Sequence, residues 1–131
     1  MRELWINLIV KDLKASKRFY QQLGFVFNPR FEQANEVASL LFNDKSLSVM
    51  LFEETFFHTK LPKGLSANTE QKDTLLSISA DSVEDADLLV EKAIQAGGKK
   101  LSDPAWSGQM YNTGFIDLDG HWWNILYYKM G

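Results

Sequence analysis

The sequence contains no cysteine, only three prolines and no long apolar run. Without cysteine there is no disulfide framework, no thiolate nucleophile and no cysteine-ligated metal. No segment approaches the roughly 20 apolar residues that a membrane-spanning helix needs. The N-terminus has an early acid, Glu3, and does not follow the pattern of a signal peptide. We therefore expect a cytoplasmic protein that makes no use of a membrane.

Basic residues are fewer than acidic ones in this sequence. The chain has 14 Lys and Arg against 17 Asp and Glu, for a formal net charge of −3. No stripe of basic residues is dense enough to neutralise a run of phosphates, so we expect no nucleic-acid partner. At 131 residues and 45% hydrophobic, the chain is long enough to bury a core of its own.

The first half of the chain follows a β-α-β-β-β order. An apolar strand pattern at 4–10 is followed by Asp12, a good helix cap, and by a helix that ends at Gly24. The apolar face of this helix consists of Ser16, Phe19, Tyr20 and Leu23. Three further strands are predicted, at 25–27, 37–42 and 47–52.

The same order returns in the second half. Predicted strands lie at 74–80, 100–101, 110–116 and 122–128. Ser82 to Asp85 form a capping box, and the helix that follows ends at Gly97. Asp119-Gly120 separates the last two strands and favours a tight hairpin. The sequence thus predicts two β-α-β-β-β modules.

Between the modules lies a polar stretch with no clear secondary structure. We place module one at about 1–54, the linker at 55–72 and module two at about 73–131, all within one domain at 1–131. A linker of this length is unusual unless it crosses between modules or covers a site.

The predicted fold class is α+β, in which tandem βαβββ modules form a curved, partly open mixed sheet around a central cavity with the helices outside. Strand alternation puts the apolar set Ile6, Leu8 and Val10 on the helix side and mixed residues on the other. Together with Tyr111, a possible hydrogen-bond donor, the mixed sets give the predicted ligand-binding residues: Trp5, Asn7, Ser48, Met50, Phe52, Ser77, Ser79, Tyr111, Trp122 and Asn124. Apolar walls with a few polar groups are typical of a small-molecule site.

Two motifs resemble a known family. The opening segment 6–13 followed by Phe19-Tyr20 and Leu23-Gly24-Phe25, and the closing segment 115–121 with Trp123, are similar to the vicinal oxygen chelate superfamily. That group includes glyoxalase I, bleomycin- and fosfomycin-resistance proteins and extradiol dioxygenases. The resemblance covers essentially the whole chain and is strongest to small bacterial members labelled glyoxalase/bleomycin resistance protein. It implies a homodimer.

The resemblance also implies where a metal ion would sit. Metal-dependent members hold a divalent ion with His, Gln or Glu from the first and fourth strands of each module. In this sequence those places fall at Trp5, Met50, Leu75 and Asn124. Indole and isobutyl groups offer no lone pair to an ion, a thioether is too soft, and an amide offers only a neutral carbonyl. We therefore expect neither a metal site nor a cofactor.

The remaining polar candidates have simpler interpretations. His58, in the linker, is more typical of an exposed loop residue than of a group at the cavity mouth. His121 follows the hairpin glycine and is expected to pair across the strand ends. Asp117 and Asp119 lack the further acids of a calcium loop, so turn formation is favoured.

Three functions stay open on this basis. The favoured one is a metal-free protein that binds a small, partly aromatic or amphipathic molecule. The alternatives are a metal-dependent glyoxalase I-type lyase or dioxygenase and an interaction module with a vestigial cavity. The sequence identifies no catalytic residue and does not name the ligand.

Overall fold

The computed structural model describes residues 2–63 and 73–129, so positions 64–72 of the predicted linker lie outside the described residues. The chain divides into two compact units, Met1–Thr69 and Glu70–Gly131. Each unit contains its own open mixed sheet. The fold is of the predicted α+β class.

The first unit contains a three-stranded sheet in the order β1-β3-β2. Its elements are β1 (Leu4–Val10), α1 (Leu13–Gln22), a 3-10 turn (Pro29–Phe31), β2 (Val37–Leu40), β3 (Leu47–Glu53) and α2 (Glu54–Thr59). β1 runs parallel to β3, and β2 runs antiparallel to it. A parallel pair needs a crossover connection, and α1 lies within it.

Helix α1 begins and ends as the sequence predicts. The Asp12 side chain accepts a hydrogen bond from the backbone N–H of Ala15 at 3.1 Å. The buried side chains include the predicted face, Ser16, Phe19, Tyr20 and Leu23. Gly24 follows at φ +93°, in the left-handed region that glycine reaches without a steric penalty.

The predicted strand at 25–27 is wrong in extent. Only Phe27 bridges to β2, opposite Leu40. The Asn28 N–H donates to the Ser39 carbonyl oxygen at 2.8 Å, but pairing stops there. Pro29 has no N–H to donate, and the chain turns into the 3-10 segment under a cap from the Asn28 side chain.

The predicted lack of structure after β3 is also wrong. Helix α2 begins where the Glu53 carboxylate accepts the backbone N–H groups of Thr55 and Phe56, at 2.9 and 3.0 Å. Those hydrogen bonds hold the pKa of Glu53 below its ordinary value. Glutamate is not among the preferred helix caps, so no residue in the sequence predicts the start of this helix.

The second unit has the strand order β4-β8-β7-β5, with β6 also paired to β7. Its elements are β4 (Leu75–Ser79), α3 (Val83–Gln95), β5 (Lys99–Lys100), β6 (Ala105–Ser107), β7 (Met110–Ile116) and β8 (Trp122–Tyr128). The Ser82 side chain caps α3 by accepting the Asp85 N–H at 2.9 Å. Strand β6 was not predicted.

The two units share one pairing register. In the first unit Asn7 lies opposite Met50 in a parallel pair, and in the second Ser77 lies opposite Asn124 in the same kind of pair. The match supports the predicted internal repeat and the alignment of Met50 with Asn124. No helix in the described ranges is both long enough and apolar enough to cross a lipid bilayer.

Candidate functional site

Five of the predicted ligand-binding residues share one face of the first sheet, the face opposite Leu8 and Val10. We call the face of each sheet that is turned away from its helix, α1 or α3, the distal face. These residues are Trp5, Asn7, Ser48, Met50 and Phe52. Trp5 is 56% exposed and Asn7 is also exposed, whereas Met50 is only 7% exposed. Rings and amides accessible to a ligand are therefore concentrated on β1.

Phe52 packs against the linker helix. Its ring stacks on Phe56 and meets Phe57 edge to face, each at 6.0 Å between centroids. The Lys60 ammonium lies 4.8 Å from the Phe56 ring centroid. Helix α2 therefore covers one end of the distal face, which agrees with one role the sequence left open for this stretch. Phe56 and Phe57 were not predicted site residues, although adjacent aromatics in a polar linker were a usable signal.

Four predicted residues share the distal face of the second sheet. Ser77 and Ser79 are exposed on β4, and Trp122 and Asn124 are half-buried on β8. The Asn124 side-chain amide donates to the Ser77 hydroxyl at 3.3 Å. This hydrogen bond orients the Asn124 carbonyl, and Trp122 lies two residues earlier on the same face of β8.

Tyr111 does not belong to this face. It is opposite Tyr127, in the same alternation set as the buried Phe115 and Trp123, and its hydroxyl donates to Asp87 on α3 at 2.6 Å. The prediction that Tyr111 lines the ligand site is therefore wrong, because its phenol points toward the helix. The Asp87 hydrogen bond, with burial, raises the pKa of Tyr111 to about 12.

We expect Tyr111→Phe to lower the free energy of unfolding by about 1 kcal/mol near neutral pH, since Asp87 is exposed and regains water. The hydrogen bond from the neutral Tyr111 phenol contributes its whole stabilisation below pH 10.0, the ordinary pKa of tyrosine. That stabilisation is lost as pH rises toward about 12, because the unfolded tyrosine ionises first. Urea unfolding at neutral pH and above pH 10 checks this, and a gap between the two proteins that widens with pH would contradict it.

The positions where the resemblance places metal ligands do not fit a divalent ion. Trp5 and Met50 in the first unit, and Leu75 in the second, present no oxygen or nitrogen lone pair suited to one. Asn124 offers only the neutral carbonyl oxygen of an amide whose nitrogen donates to the Ser77 hydroxyl. Within the described ranges, no three His, Cys, Asp or Glu side chains gather closely enough to hold an ion.

The hairpin acids and His121 form a turn. Asp117 is 5% exposed, and its carboxylate accepts the backbone N–H of Asp119 at 3.0 Å and that of His121 at 2.8 Å. It also bonds the His121 ring Nδ1 at 2.9 Å. Gly120 takes φ +87°, which closes the hairpin. The turn interpretation of these residues is the one the structure shows.

Comparison with known proteins points to one family. The sequence profile of the Glyoxalase/Bleomycin resistance protein/Dioxygenase superfamily matches residues 4–125. A hypothetical protein from S. aureus is similar in structure, with a TM-score of 0.83 and 32% identity over 97% of this chain and 94% of that one. None of the curated proteins matches the chain.

A second similar structure is a glyoxalase-related enzyme from Fulvimarina pelagi, with a TM-score of 0.82 and 20% identity over 97% of this chain and 88% of that one. A third is a glyoxalase/bleomycin resistance protein/dioxygenase family enzyme from Burkholderia phytofirmans PsJN, with a TM-score of 0.72 and 20% identity over 95% and 97% of the two chains. At this identity the two structures establish the fold alone.

Proposed function

Because the chain belongs to the glyoxalase/bleomycin resistance protein/dioxygenase superfamily, we propose that it binds a small, partly aromatic or amphipathic molecule on its distal faces without a metal ion. The observation that carries the proposal is the chemistry of the four inherited metal positions. Three have side chains that cannot ligate a hard divalent ion, and the fourth is Asn124.

The accessible groups of the distal faces suit such a ligand. Trp5 offers a ring on which a flat molecule can stack, and Asn7 lies two residues along the same strand. In the second unit Ser77 and Asn124 form a polar pair beside Trp122. Rings supply contact area, and a few hydrogen-bonding groups fix orientation.

The same faces support a homodimer, our proposal for the assembly. Trp5 on the first distal face is 56% exposed and Leu75 on the second is 50% exposed, which is a large share for apolar side chains. Apolar side chains exposed to this degree favour burial against a partner surface. A second copy of this chain is the partner that the resemblance implies.

Native mass spectrometry of freshly purified protein tests these proposals together. We expect a dimer that carries no stoichiometric metal and retains a small organic molecule, or takes up the amphipathic dye anilinonaphthalene sulfonate. Trp5→Ala is expected to weaken dye binding about tenfold, because it removes an exposed ring worth roughly 1 kcal/mol or more. Trp106→Ala is the matched control, since Trp106 is similarly exposed but lies off the distal face, against Tyr111.

Three outcomes would overturn the proposals separately. Stoichiometric Ni²⁺, Mn²⁺ or Zn²⁺ tied to lyase or dioxygenase activity would establish the metal-dependent alternative. If Trp5→Ala leaves dye binding unchanged, the distal face of the first sheet is not the binding site. A monomer at working concentration would refute the homodimer.

A further inference from the structure

We propose that the first unit carries a second ligand site, at the outer edge of β2, which binds a small monocarboxylate with an aromatic or branched apolar body. None of the predicted ligand-binding residues lines this pocket. The proposal does not depend on the function proposed for the distal faces.

The pocket arises where the two repeats differ. In the second unit two short strands pair with the outer edge of β7. Strand β5 pairs through Lys100 opposite Phe115, and strand β6 pairs through Ala105 opposite Asn112. In the first unit the bridge from Phe27 to Leu40 on β2 corresponds to the pairing of β5 with β7. No strand in the described part of this unit corresponds to β6.

The 3-10 turn Pro29–Phe31 lies near β2 where the missing strand would pair, but it does not continue the sheet. A pocket of about 610 Å³ is left between α1, the segment 25–32 and β2. That volume is within the range of small-molecule sites. The residues that line it include Lys17, Gln21, Phe25, Phe27, Phe31 and Glu32.

The charge of the pocket selects the ligand's head group. Lys17 is half-buried on α1, and no carboxylate of the described residues lies within ion-pair distance of its ammonium. Gln21 follows one turn later on the same helical face, so an amide stands beside the cation. A cation on a partly buried side chain, with no counter-charge within ion-pair distance, attracts a carboxylate more strongly than a fully solvated one does.

Glu32 limits the charge of that ligand. Glu32 is one of the residues that line the same pocket, and it is exposed. A second negative charge on the ligand would be repelled by Glu32, so the pocket favours a monocarboxylate over a dicarboxylate or a phosphate. This distinguishes it from a general anion site.

The apolar walls are held in place before any ligand arrives. The Phe25 ring meets Tyr20 edge to face at 5.4 Å and Phe42 at 6.2 Å. Phe31 is covered on one side by the Arg30 guanidinium, 5.7 Å from the ring centroid. Rings fixed by neighbours lose little conformational freedom when a ligand packs on them, which favours binding of an apolar body.

Nitrogen-15 NMR with phenylacetate as the probe tests the site. We expect saturable shifts of the backbone amides at 25–32 and 38–41, with amides on the distal faces unaffected. Lys17→Met, which keeps the length of the side chain and removes the charge, should weaken binding about tenfold. Lys14→Met is the matched control, because Lys14 is exposed on the same helix and does not line the pocket.

Neutral phenylacetamide and cationic phenethylamine separate charge recognition from apolar binding. We expect both to bind at least about tenfold more weakly than phenylacetate, and added salt to weaken only phenylacetate. Equal binding of phenylacetate and phenylacetamide, or an unchanged affinity in Lys17→Met, would overturn the proposal. Shifts confined to the distal faces would overturn it as well, while leaving the proposed function standing.

Discussion

Asp117→Ala is expected to lower the free energy of unfolding by about 4 kcal/mol, because it leaves several hydrogen-bond donors in the turn without their acceptor. The Asp117 carboxylate accepts the N–H groups of Asp119 and His121 and bonds the His121 ring. His121 is only 8% exposed, so its ring gains little water in compensation. The loss is concentrated in the turn that joins β7 to β8.

Urea unfolding followed by tryptophan fluorescence measures this loss, since Trp123 is buried and stacks on Phe115 at 6.0 Å. Asp117→Asn is the matched variant. It keeps one carbonyl oxygen for the two backbone N–H groups and loses the charge, so about half of the effect should remain. If Asp117→Ala unfolds at the same urea concentration as the parent protein, the turn does not depend on this carboxylate.

Gly114→Ala should destabilise the protein by about 3 kcal/mol or more, although it adds a single methyl group. A Cβ at Gly114 would clash with the Trp123 carbonyl oxygen of β8 and would lie 2.9 Å from a Leu101 methyl carbon. The β8 backbone cannot yield easily, because Trp123 is 1% exposed and lies opposite Phe115. Asn124, whose Cα would be 3.3 Å from the new carbon, would shift with it.

Gly108→Ala is the control for this change. Nothing lies within 4 Å of a Cβ at Gly108, so its cost comes only from φ +60° and should be about 1 kcal/mol. Thermal unfolding of both variants against the parent gives the comparison. Equal losses would mean that close approach of β8 to Gly114 does not explain the glycine there.

Local periodicity accounts for what the sequence predicted well. Asp12 and Gly24 bound α1 because capping and helix termination depend on neighbouring residues alone. Alternation likewise separated Leu8 and Val10, which are buried, from Trp5 and Asn7, which are exposed. The repeat followed from the same local signals occurring twice.

Long-range pairing accounts for most of what was missed. The hydrogen bond from Tyr111 to Asp87 joins residues 24 apart, and no local pattern predicts that partner. Apolar character at 25–27 favoured a strand, but pairing depended on Asn28 and Pro29, which end the ladder. The pocket at β2 follows from that broken ladder and was therefore also outside the prediction.

The strand orders β1-β3-β2 and β4-β8-β7-β5 have a consequence for how each unit assembles. In both, the last strand along the chain within that unit lies in the interior of its sheet, β3 between β1 and β2 and β8 between β4 and β7. Ser77 must wait for Asn124, 47 residues downstream, before its strand gains a neighbour. Closing such loops costs conformational entropy before any contact has formed to offset it. During folding, the edges of β4 and β7 that face β8 therefore keep unpaired backbone groups until β8 pairs with both strands.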